Sequence, residues 1–207
     1  MKANPVAINH RVRFYLYPFV LINYIYTLID FICLHNSKLL PTFASSNRKK
    51  QNTIMLNIGD KIPEVFGTNE AGVEVTRAQF NGQKLVIYFY PKDNTSGCTA
   101  QACSLRDDYH ELAKLGYNVI GVSSNSAASH QKFIEKNNLP FTLIADTDLN
   151  LHQLFGTWGE KSMCGRKYMG TLRTTFVADE TGTITHIFTP KQINTKTHAQ
   201  QLIKALS

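Results

Sequence analysis

Apolar residues alternate between strand-like runs and helical spacing from about residue 56 to the end of the chain. Runs rich in β-branched and aromatic residues predict strands at 85–90, 118–123, 141–145, 174–179 and 183–189. Apolar positions at helical spacing predict helices at 98–115, 127–137, 149–155 and 197–206. Turn signals at 69–72 and 180–182 predict two hairpins, the first within 64–76. This order predicts an α/β fold: a mixed central β-sheet flanked by helices, with an N-terminal β-hairpin extension.

The N-terminal quarter of the chain differs from the rest in charge. Residues 1–54 carry seven basic residues against one acidic residue, Asp30, whereas residues 55–207 carry 15 basic and 14 acidic residues. The net charge of +7 therefore belongs mainly to the leader. We expect one domain at 55–207, which is long enough for a single core and has no basic patch that would indicate a nucleic-acid partner.

The leader contains an apolar and aromatic run at 15–34 that is long enough to span a membrane. Asp30 inside this run would cost about 2.5–3.5 kcal/mol near the bilayer centre, and no small-residue cleavage site directly follows. Three interpretations stay open. In order of preference, translation starts at Met55, the run is an uncleaved membrane anchor, or it is a removed targeting segment. The first predicts a cytoplasmic protein; a membrane contact is expected only if 15–34 is retained.

The segment from the first predicted strand into the first predicted helix carries the most informative chemistry. Pro91 stops the strand because it cannot donate to a β ladder, and a polar turn then places Cys98 at the first helical turn. Free backbone N–H groups and the helix dipole stabilise an anion there, so we expect Cys98 to be a partly exposed, nucleophilic thiolate. Thr95 lies close enough for its hydroxyl to bond the sulfur or a bound oxygen substrate.

A second thiol, Cys103, follows five residues later, and the pair has other possible uses. A zinc half-site would need further close Cys or His pairs, which the sequence lacks. Inert core thiols are common, but the strand, proline, threonine and helix start around Cys98 argue against them. A thioredoxin-type exchanger, the main competitor, would carry Cys-x-x-Cys. We therefore expect redox-active thiols, and no metal or other cofactor.

The string Pro91-x-x-x-Thr95-x-x-Cys98 resembles the active-site signature of peroxiredoxins. The longer stretch FYPKDNTSGCTAQACSLRD, residues 89–107, is similar to their bacterioferritin-comigratory, or Q-type, branch. The resemblance covers about residues 55–206 and includes the segments 56–63, 121–124, 136–141, 158–161, 168–170 and 173–176. Ser96 departs from the pattern, because the family usually has proline there. Cys164 also departs, since it stands at a predicted loop position where a tyrosine is more common.

The resemblance implies a thioredoxin-like fold and a thioredoxin-dependent thiol peroxidase. It marks Pro91, Thr95, Cys98 and Arg173 as catalytic and implies that Cys103 is the resolving thiol. Arg173 alone would be interpreted as a solvated charge at a strand start. The family position instead places it beside Cys98, where a permanently charged, fork-shaped donor stabilises the thiolate and the negative charge that develops on oxygen.

The activity that the resemblance implies is reduction of hydrogen peroxide and organic hydroperoxides through a Cys98 sulfenic acid. An intramolecular disulfide with Cys103 would follow, and a thioredoxin-like dithiol would reduce it; the family also implies a monomer. A binding-class alternative is a redox-sensing or chaperone-like module that uses the same disulfide as a switch. Turnover separates the two, because an enzyme consumes many peroxides per protein whereas a sensor reacts about once.

The spacing of the two thiols has a mechanical consequence. On an ideal helix, residues five apart have Cα atoms ~8–9 Å apart, whereas a disulfide needs a Cα separation of no more than about 7 Å. Cys98 and Cys103 therefore cannot bond while the helix is intact, and oxidation is expected to unwind it locally.

The remaining candidate residues are predicted to have ordinary roles. We expect His110, His130, His152 and His186 to lie at the surface or on helix faces, since they share no ligand or triad spacing. Trp158 is predicted to anchor a loop. Lys161, Arg166 and Lys167 are predicted to lie in a solvated basic loop. Cys164 is interpreted as an incidental substitution, with a role as alternative resolving thiol as the other hypothesis.

Overall fold

A computed structural model describes residues 55–80, 82–163 and 165–207, without the side chain of Met163. Its strands are β1 Val65–Thr68, β2 Glu74–Thr76, β3 Lys84–Phe89, β4 Tyr117–Ser123, β5 Thr142–Ala145, β6 Trp158–Met163, β7 Arg166–Thr171, β8 Thr174–Ala178 and β9 Ile184–Phe188. Its helices are α1 Ser96–Asp107, α2 Tyr109–Lys114, α3 Ala127–Asn137, α4 Asn150–Leu154 and α5 His198–Leu206, with a 3₁₀ turn at Arg77–Phe80.

The central sheet has five strands in the order β5-β4-β3-β8-β9. Strand β3 pairs in parallel with β4, and β4 pairs in parallel with β5. Strand β8 runs antiparallel to β3 and to β9. Two antiparallel hairpins, β1–β2 and β6–β7, form separate two-stranded sheets. The mixed sheet, the flanking helices and the N-terminal hairpin confirm the predicted fold class.

Side chains of the central strand β3 alternate between the two faces of the sheet, because successive Cβ atoms of a strand point to opposite sides. Val86 and Tyr88 belong to a core that includes residues of α1, α2, α3 and α5, such as Leu105 and Leu202. Leu85, Ile87 and Phe89 belong to a second core that the β1–β2 hairpin and α4 help to cover. The apolar run of β3 is thus explained by burial on both faces.

One predicted helix is two helices in the structure. The helix expected over 98–115 breaks at Asp108, which has non-helical φ and ψ angles of −102° and 15° and separates α1 from α2. The carbonyl of Asp108 then accepts from the backbone N–H groups of Glu111 and Leu112. Two consecutive aspartates are poor helix formers, so the break falls where helix propensity is lowest.

The β6–β7 hairpin is an element that the sequence pattern does not predict. Trp158, Lys161, Arg166 and Lys167 are expected from the sequence to lie in loops, but six residue pairs from Trp158↔Thr171 to Met163↔Arg166 are in antiparallel register. The predictions for residues 1–54 and for Cys164 lie outside the described residues. Within the part of the chain that the structure describes, no helix is both long and apolar enough to cross a membrane.

Candidate active site

Cys98 lies in the first turn of α1, which leaves the loop that follows β3. Thr95 occupies the N-cap position with extended backbone angles, φ −85° and ψ 148°. The expectation of a partly exposed thiol is wrong, because Cys98 is only 1% exposed. Its position explains this burial: Cys98, Gln101, Ala102 and Leu105 follow helical spacing and form the buried face of α1.

Arg173 contacts Cys98 from the segment between β7 and β8. Its Nη2 donates to the Cys98 sulfur at 3.2 Å, although 75 residues separate the two in sequence. Its Nη1 donates to Oε1 of Gln101, one turn further along α1. The guanidinium therefore directs one N–H to the Cys98 sulfur and another to a side chain of the same helix, in the fork geometry that only arginine provides.

Two buried polar side chains around the thiol are not anticipated from the sequence. Among the described residues, the hydroxyl of Tyr88 and Nε2 of Gln101 have no hydrogen-bond partner although both atoms are buried. Burial, and next the charge of Cys98, raise the pKa of Tyr88 well above its ordinary value, so its phenol stays neutral. Tyr88 and Gln101 give no signal in sequence because a strand tyrosine and a helix glutamine are ordinary residues.

The structure places Thr95 and Pro91 on the loop between β3 and α1. The Thr95 hydroxyl donates to the carbonyl of Lys92 at 3.0 Å, and no hydrogen bond joins it to the sulfur. Its oxygen is left as an acceptor for an incoming O–H group. Pro91 is half-buried. Pro91 and Thr95 thus precede α1 directly in the chain, whereas Arg173 reaches Cys98 from the segment between β7 and β8.

Asp93 fixes this loop to the rest of the domain. Its carboxylate accepts from Tyr90 Oη at 2.7 Å, Ser129 Oγ at 2.6 Å and His130 Nδ1 at 3.0 Å. Burial alone would raise the pKa of Asp93, but hydrogen bonds from His130 and its other partners outweigh burial and lower it. The loop before Cys98 is therefore tied to the first turn of α3, where Ser129 and His130 lie.

The four histidines lie at the surface or on helices, as predicted, but two of them are buried. His110 and His186 are exposed, whereas His130 and His152 are fully buried. His152 Nδ1 lies 2.6 Å from Oδ2 of Asp146. A histidine can be buried when a carboxylate partner offsets the loss of hydration, and this partner is not visible from residue spacing.

Cys103 lies on the same uninterrupted helix as Cys98 but on a different face. It is half-buried, and its sulfur is 4.0 Å from Oδ1 of Asn137. Both thiols are free in the structure. Five residues on a helix rotate a side chain by ~140°, so the two sulfurs point in different directions while α1 is intact.

Residues 58–187 match the model of the AhpC/TSA family. The chain belongs to the AhpC/TSA family. It is 43% identical over 133 residues to peroxiredoxin Bcp of Escherichia coli K12, an alignment that covers 64% of this chain and 85% of that protein. It is 37% identical over 151 residues to peroxiredoxin Bcp of Bacillus subtilis, which covers 73% of this chain and 95% of the relative.

A solved structure of Xanthomonas campestris bacterioferritin comigratory protein superposes with a TM-score of 0.63 and 30% identity, over 71% of this chain and 97% of that one. The Xanthomonas protein has alkyl peroxide reduction activity, and its structures include a trapped intermediate and ligand complex. This likeness and the Bcp relatives confirm the Q-type peroxiredoxin resemblance and the thioredoxin-like fold. This AhpC/TSA family member is therefore a peroxiredoxin, and its enzyme class is thiol peroxidase.

The β6–β7 hairpin of this peroxiredoxin brings a lysine to the end of β7, two residues before Arg173. Lys161 is predicted from the sequence to be solvated, but it is half-buried and its Nζ donates to the Thr171 carbonyl at 3.0 Å. Burial, and next the charge of Arg173, lower its pKa, while the charge of Cys98 opposes that shift. Arg166 and Lys167 are exposed as predicted, although they lie on β7 and not in a loop.

Trp158 occupies the first position of β6. It is half-buried, and the centroid of its ring lies 5.9 Å from that of His152 in an edge-to-face contact. It therefore anchors the base of the hairpin, where the sequence predicts a loop anchor. Within the described residues, no group of three or more His, Cys, Asp or Glu side chains converges to hold a metal ion.

Proposed function

We propose that this peroxiredoxin reduces hydrogen peroxide and organic hydroperoxides with Cys98 as the peroxidatic nucleophile. The observation that carries the proposal is the 3.2 Å contact between Arg173 Nη2 and the sulfur of Cys98 at a helix start. A guanidinium and a helix N-terminus both favour the thiolate, which is the reactive form of cysteine. The alkyl peroxide reduction of the Xanthomonas protein is an activity of the same class.

The first step follows from the groups around the sulfur. The Cys98 thiolate attacks the terminal oxygen of the hydroperoxide, an S–O bond forms and the O–O bond breaks. Cys98 becomes a sulfenic acid, and the released alkoxide or hydroxide takes a proton to give an alcohol or water. The Thr95 oxygen accepts from the peroxide O–H, and Arg173 stabilises the negative charge on the leaving oxygen. Pro91 limits access of water to the sulfur.

The second step uses Cys103. Its sulfur attacks the sulfenic sulfur of Cys98, an S–S bond forms and the S–O bond breaks. The hydroxyl leaves as water with the proton that the Cys103 thiol gives up. A thioredoxin-like dithiol then reduces this disulfide by thiol–disulfide exchange and is itself oxidised. Because both cysteines lie on α1 and the helix holds them too far apart, the second step requires that α1 unwinds between them.

The test is donor-dependent peroxide turnover in two variants, with Cys164→Ser as the matched control. Cys98→Ser is expected to abolish turnover. Cys103→Ser should still consume about one peroxide per protein, but donor-linked recycling should fall sharply and mass spectrometry should show sulfinic acid at Cys98. The control should turn over like the unmodified protein.

Three outcomes would count against parts of the proposal. Normal turnover in Cys98→Ser removes Cys98 from its role. Normal recycling in Cys103→Ser assigns resolution to another thiol, and loss of recycling in Cys164→Ser would make that thiol Cys164. Consumption of only about one peroxide per unmodified protein, with donor present, would favour the redox-sensing alternative.

We further infer a cytoplasmic location, because a reducing compartment keeps thiols such as Cys98 and Cys103 ready for reaction, and a monomer, which the Q-type resemblance implies. Intact-mass measurement of the native protein determines whether residues 1–54 are retained, and native mass spectrometry determines the number of subunits. A retained leader and membrane-fraction enrichment would contradict the cytoplasmic location.

A further inference from the structure

The side chain of Lys161 follows a defined path along the β6–β7 hairpin. Lys161 pairs with Tyr168, and Gly159 pairs with Gly170. A Cβ atom at position 170 would lie 3.4 Å from Cδ of Lys161 and 3.3 Å from Cε2 of Tyr168, which is a tight contact. Gly170 therefore leaves the space through which the lysine stem passes on its way to the Thr171 carbonyl.

The hydrogen bond to Thr171 places the ammonium group at the base of the hairpin. Thr171 is the last residue of β7, and Arg173 follows two residues later. The Thr171 hydroxyl lies 3.0 Å from Nε2 of the buried His152, which holds this strand end in place. An ammonium group has three N–H donors, so two remain after the bond to Thr171.

Lys161 and Arg173 form an unusual pair of charges. Among the residues that the structure describes, neither has a carboxylate within ion-pair distance: the neighbouring Glu160 pairs at 3.0 Å with Lys167. Lys161 is bound to the Thr171 carbonyl, two residues before Arg173, and both side chains are half-buried. Two cations placed in this way repel, and an anion beside them offsets this cost. The anion that the site supplies is the Cys98 thiolate, whose sulfur lies 3.2 Å from Nη2 of Arg173.

The other groups around Cys98 do not neutralise these two cations. Tyr88 of β3 stays neutral, and Cys103 lies on another face of α1. The carboxylate of Asp93, in the loop before α1, is occupied by Tyr90, Ser129 and His130. Arg173, which contacts the sulfur, and Lys161, which is held at the end of β7, thus keep their charges available to an anion at this position.

We propose that Lys161 is a second cation of the active site, which stabilises the Cys98 thiolate and the departing oxygen anion together with Arg173. It also positions the 171–173 segment through its hydrogen bond to Thr171. This inference rests on the proposed role of Cys98. Lys161 acts by charge at a fixed place, so a neutral side chain of similar length should lose the effect and an arginine should keep most of it.

The experiment compares Lys161→Met, Lys161→Gln and Lys161→Arg with Lys167→Met, a control on the same hairpin. Lys167 is exposed and pairs with Glu160, so its loss changes net charge without changing the site. The first readout is the rate constant for oxidation of Cys98 by hydrogen peroxide. The second is the pH profile of Cys98 alkylation by iodoacetamide, followed on the Cys98 peptide by mass spectrometry. Circular dichroism confirms that each variant is folded.

The two neutral variants are expected to react with peroxide about tenfold more slowly, and their alkylation profiles should move to higher pH by about one pH unit. Lys161→Arg should stay within about threefold of the unmodified protein, and Lys167→Met should be unchanged. Unchanged rates and profiles in Lys161→Met and Lys161→Gln would overturn the inference. An equal loss in Lys161→Arg would also overturn it, since shape and not charge would then be responsible.

The alkylation profile separates this inference from the proposed function. It needs neither peroxide nor an electron donor, so it still reports the effect of Lys161 on Cys98 if the protein proves to lack peroxidase turnover. A shifted profile without turnover would support the second cation and contradict the enzyme. Peroxide turnover by the unmodified protein, with an unshifted profile and unchanged rates in the neutral Lys161 variants, would support the enzyme and contradict the second cation.

Discussion

Arg173 is the residue that joins two distant parts of the chain at the reactive sulfur. It holds Cys98 and Gln101, both on α1, from a segment outside that helix. Unwinding of α1 would move both partners, so the arginine contacts and the proposed Cys98–Cys103 disulfide belong to different conformations. The same side chain that favours the thiolate therefore also favours the closed helix before oxidation.

Gln101 provides a test of this double role. Gln101→Leu keeps a similar volume and removes both the Arg173 contact and the buried Nε2 that has no partner in the described residues. Stability should change by no more than about 1 kcal/mol, because loss of the bond is offset by loss of the unsatisfied donor. The rate of Cys98 oxidation should fall about tenfold, since Arg173 is no longer oriented. Urea unfolding and stopped-flow oxidation measure the two effects; a rate equal to that of the unmodified protein would show that Gln101 does not orient Arg173.

His198 gives the fold a pH dependence that does not involve the thiols. It is fully buried, and its Nε2 lies 2.9 Å from the Thr175 hydroxyl. Burial lowers its pKa from 6.5 to about 4. Below pH 6.5 the unfolded chain binds a proton at His198 that the folded chain excludes. The contribution of His198 to the free energy of unfolding is therefore complete above pH 6.5 and is lost as the pH falls towards 4.

We expect the free energy of unfolding to fall by about 2 kcal/mol because of this histidine when the pH is lowered from 7 to 5. His198→Gln, which can keep a bond to Thr175, should remove most of this loss while the acid sensitivity due to carboxylates remains. Urea denaturation at the two pH values checks it, with the exposed His186→Gln as control. The same pH dependence in His198→Gln and in the unmodified protein would exclude His198 as the cause.

At the scale of elements, α1 is the part of the fold that must change if the proposed Cys98–Cys103 disulfide forms. Its sequence, SGCTAQACSLRD, mixes small and polar residues, and its buried face is narrow. Sequence periodicity predicts this helix and the position of Cys98 in its first turn. Periodicity does not place the break at Asp108, because the apolar spacing continues through Tyr109 and Leu112 into α2.

Amide hydrogen exchange tests the unwinding of α1. Exchange across 99–106 should be faster in the disulfide form than in the dithiol form, whereas β3 should stay protected in both. Thr99→Ala, which raises helix propensity by a few tenths of a kcal/mol, should slow disulfide formation without slowing the first reaction with peroxide. Ser104→Ala is not a suitable partner variant, because Ser104 Oγ accepts from the buried Ala199 N–H at 3.1 Å. Equal protection in both redox forms would exclude the Cys98–Cys103 pairing.

The β6–β7 hairpin shows where a sequence pattern carries too little information. Strand β6, WGEKSM, has no strict alternation of apolar and polar residues, and glycines stand at positions 159, 165 and 170. The strands pair with each other and not with the central sheet. Backbone pairing and the contacts at Trp158 fix them, and neither leaves a periodic signal. This is why the pattern predicts Lys161 to be a solvated loop residue.

For the whole molecule, the central sheet and its flanking helices are well predicted from the sequence. The sheet is buried on both faces, and strands buried on both faces have long apolar runs. The runs of β3, β4 and β8 and the apolar face of α5 each leave such a signal. The site is predicted only in part. Pro91, Thr95, Cys98 and Cys103 lie within one short segment, whereas Arg173 is placed by family resemblance. The burial of Cys98 and the buried Asp93–His130 pair depend on contacts between distant segments.

The hydrogen bond between Ser104 and Ala199 couples the helix that carries both thiols to the last helix of the domain. Ser104 belongs to α1, and the Ala199 amide is one of the free N–H groups in the first turn of the C-terminal helix α5. If α1 opens to form the proposed disulfide, α5 should lose this cap, at a cost of about 1 kcal/mol. The packing of Leu202 beside α1 and α2 is disturbed at the same time.

The C-terminus should therefore act as an indicator of the catalytic cycle. Carboxypeptidase should remove residues from the 198–207 end faster in the disulfide form than in the dithiol form. Ser104→Ala should make the dithiol form itself more susceptible, while Ser129→Ala, on α3, should leave this end unchanged. Equal digestion of both redox forms would show that α5 is indifferent to α1. If the disulfide form is digested faster, the oxidised enzyme has a frayed last helix that proteases cleave more readily than that of the reduced enzyme. The lifetime of the protein would then depend on how often it turns over.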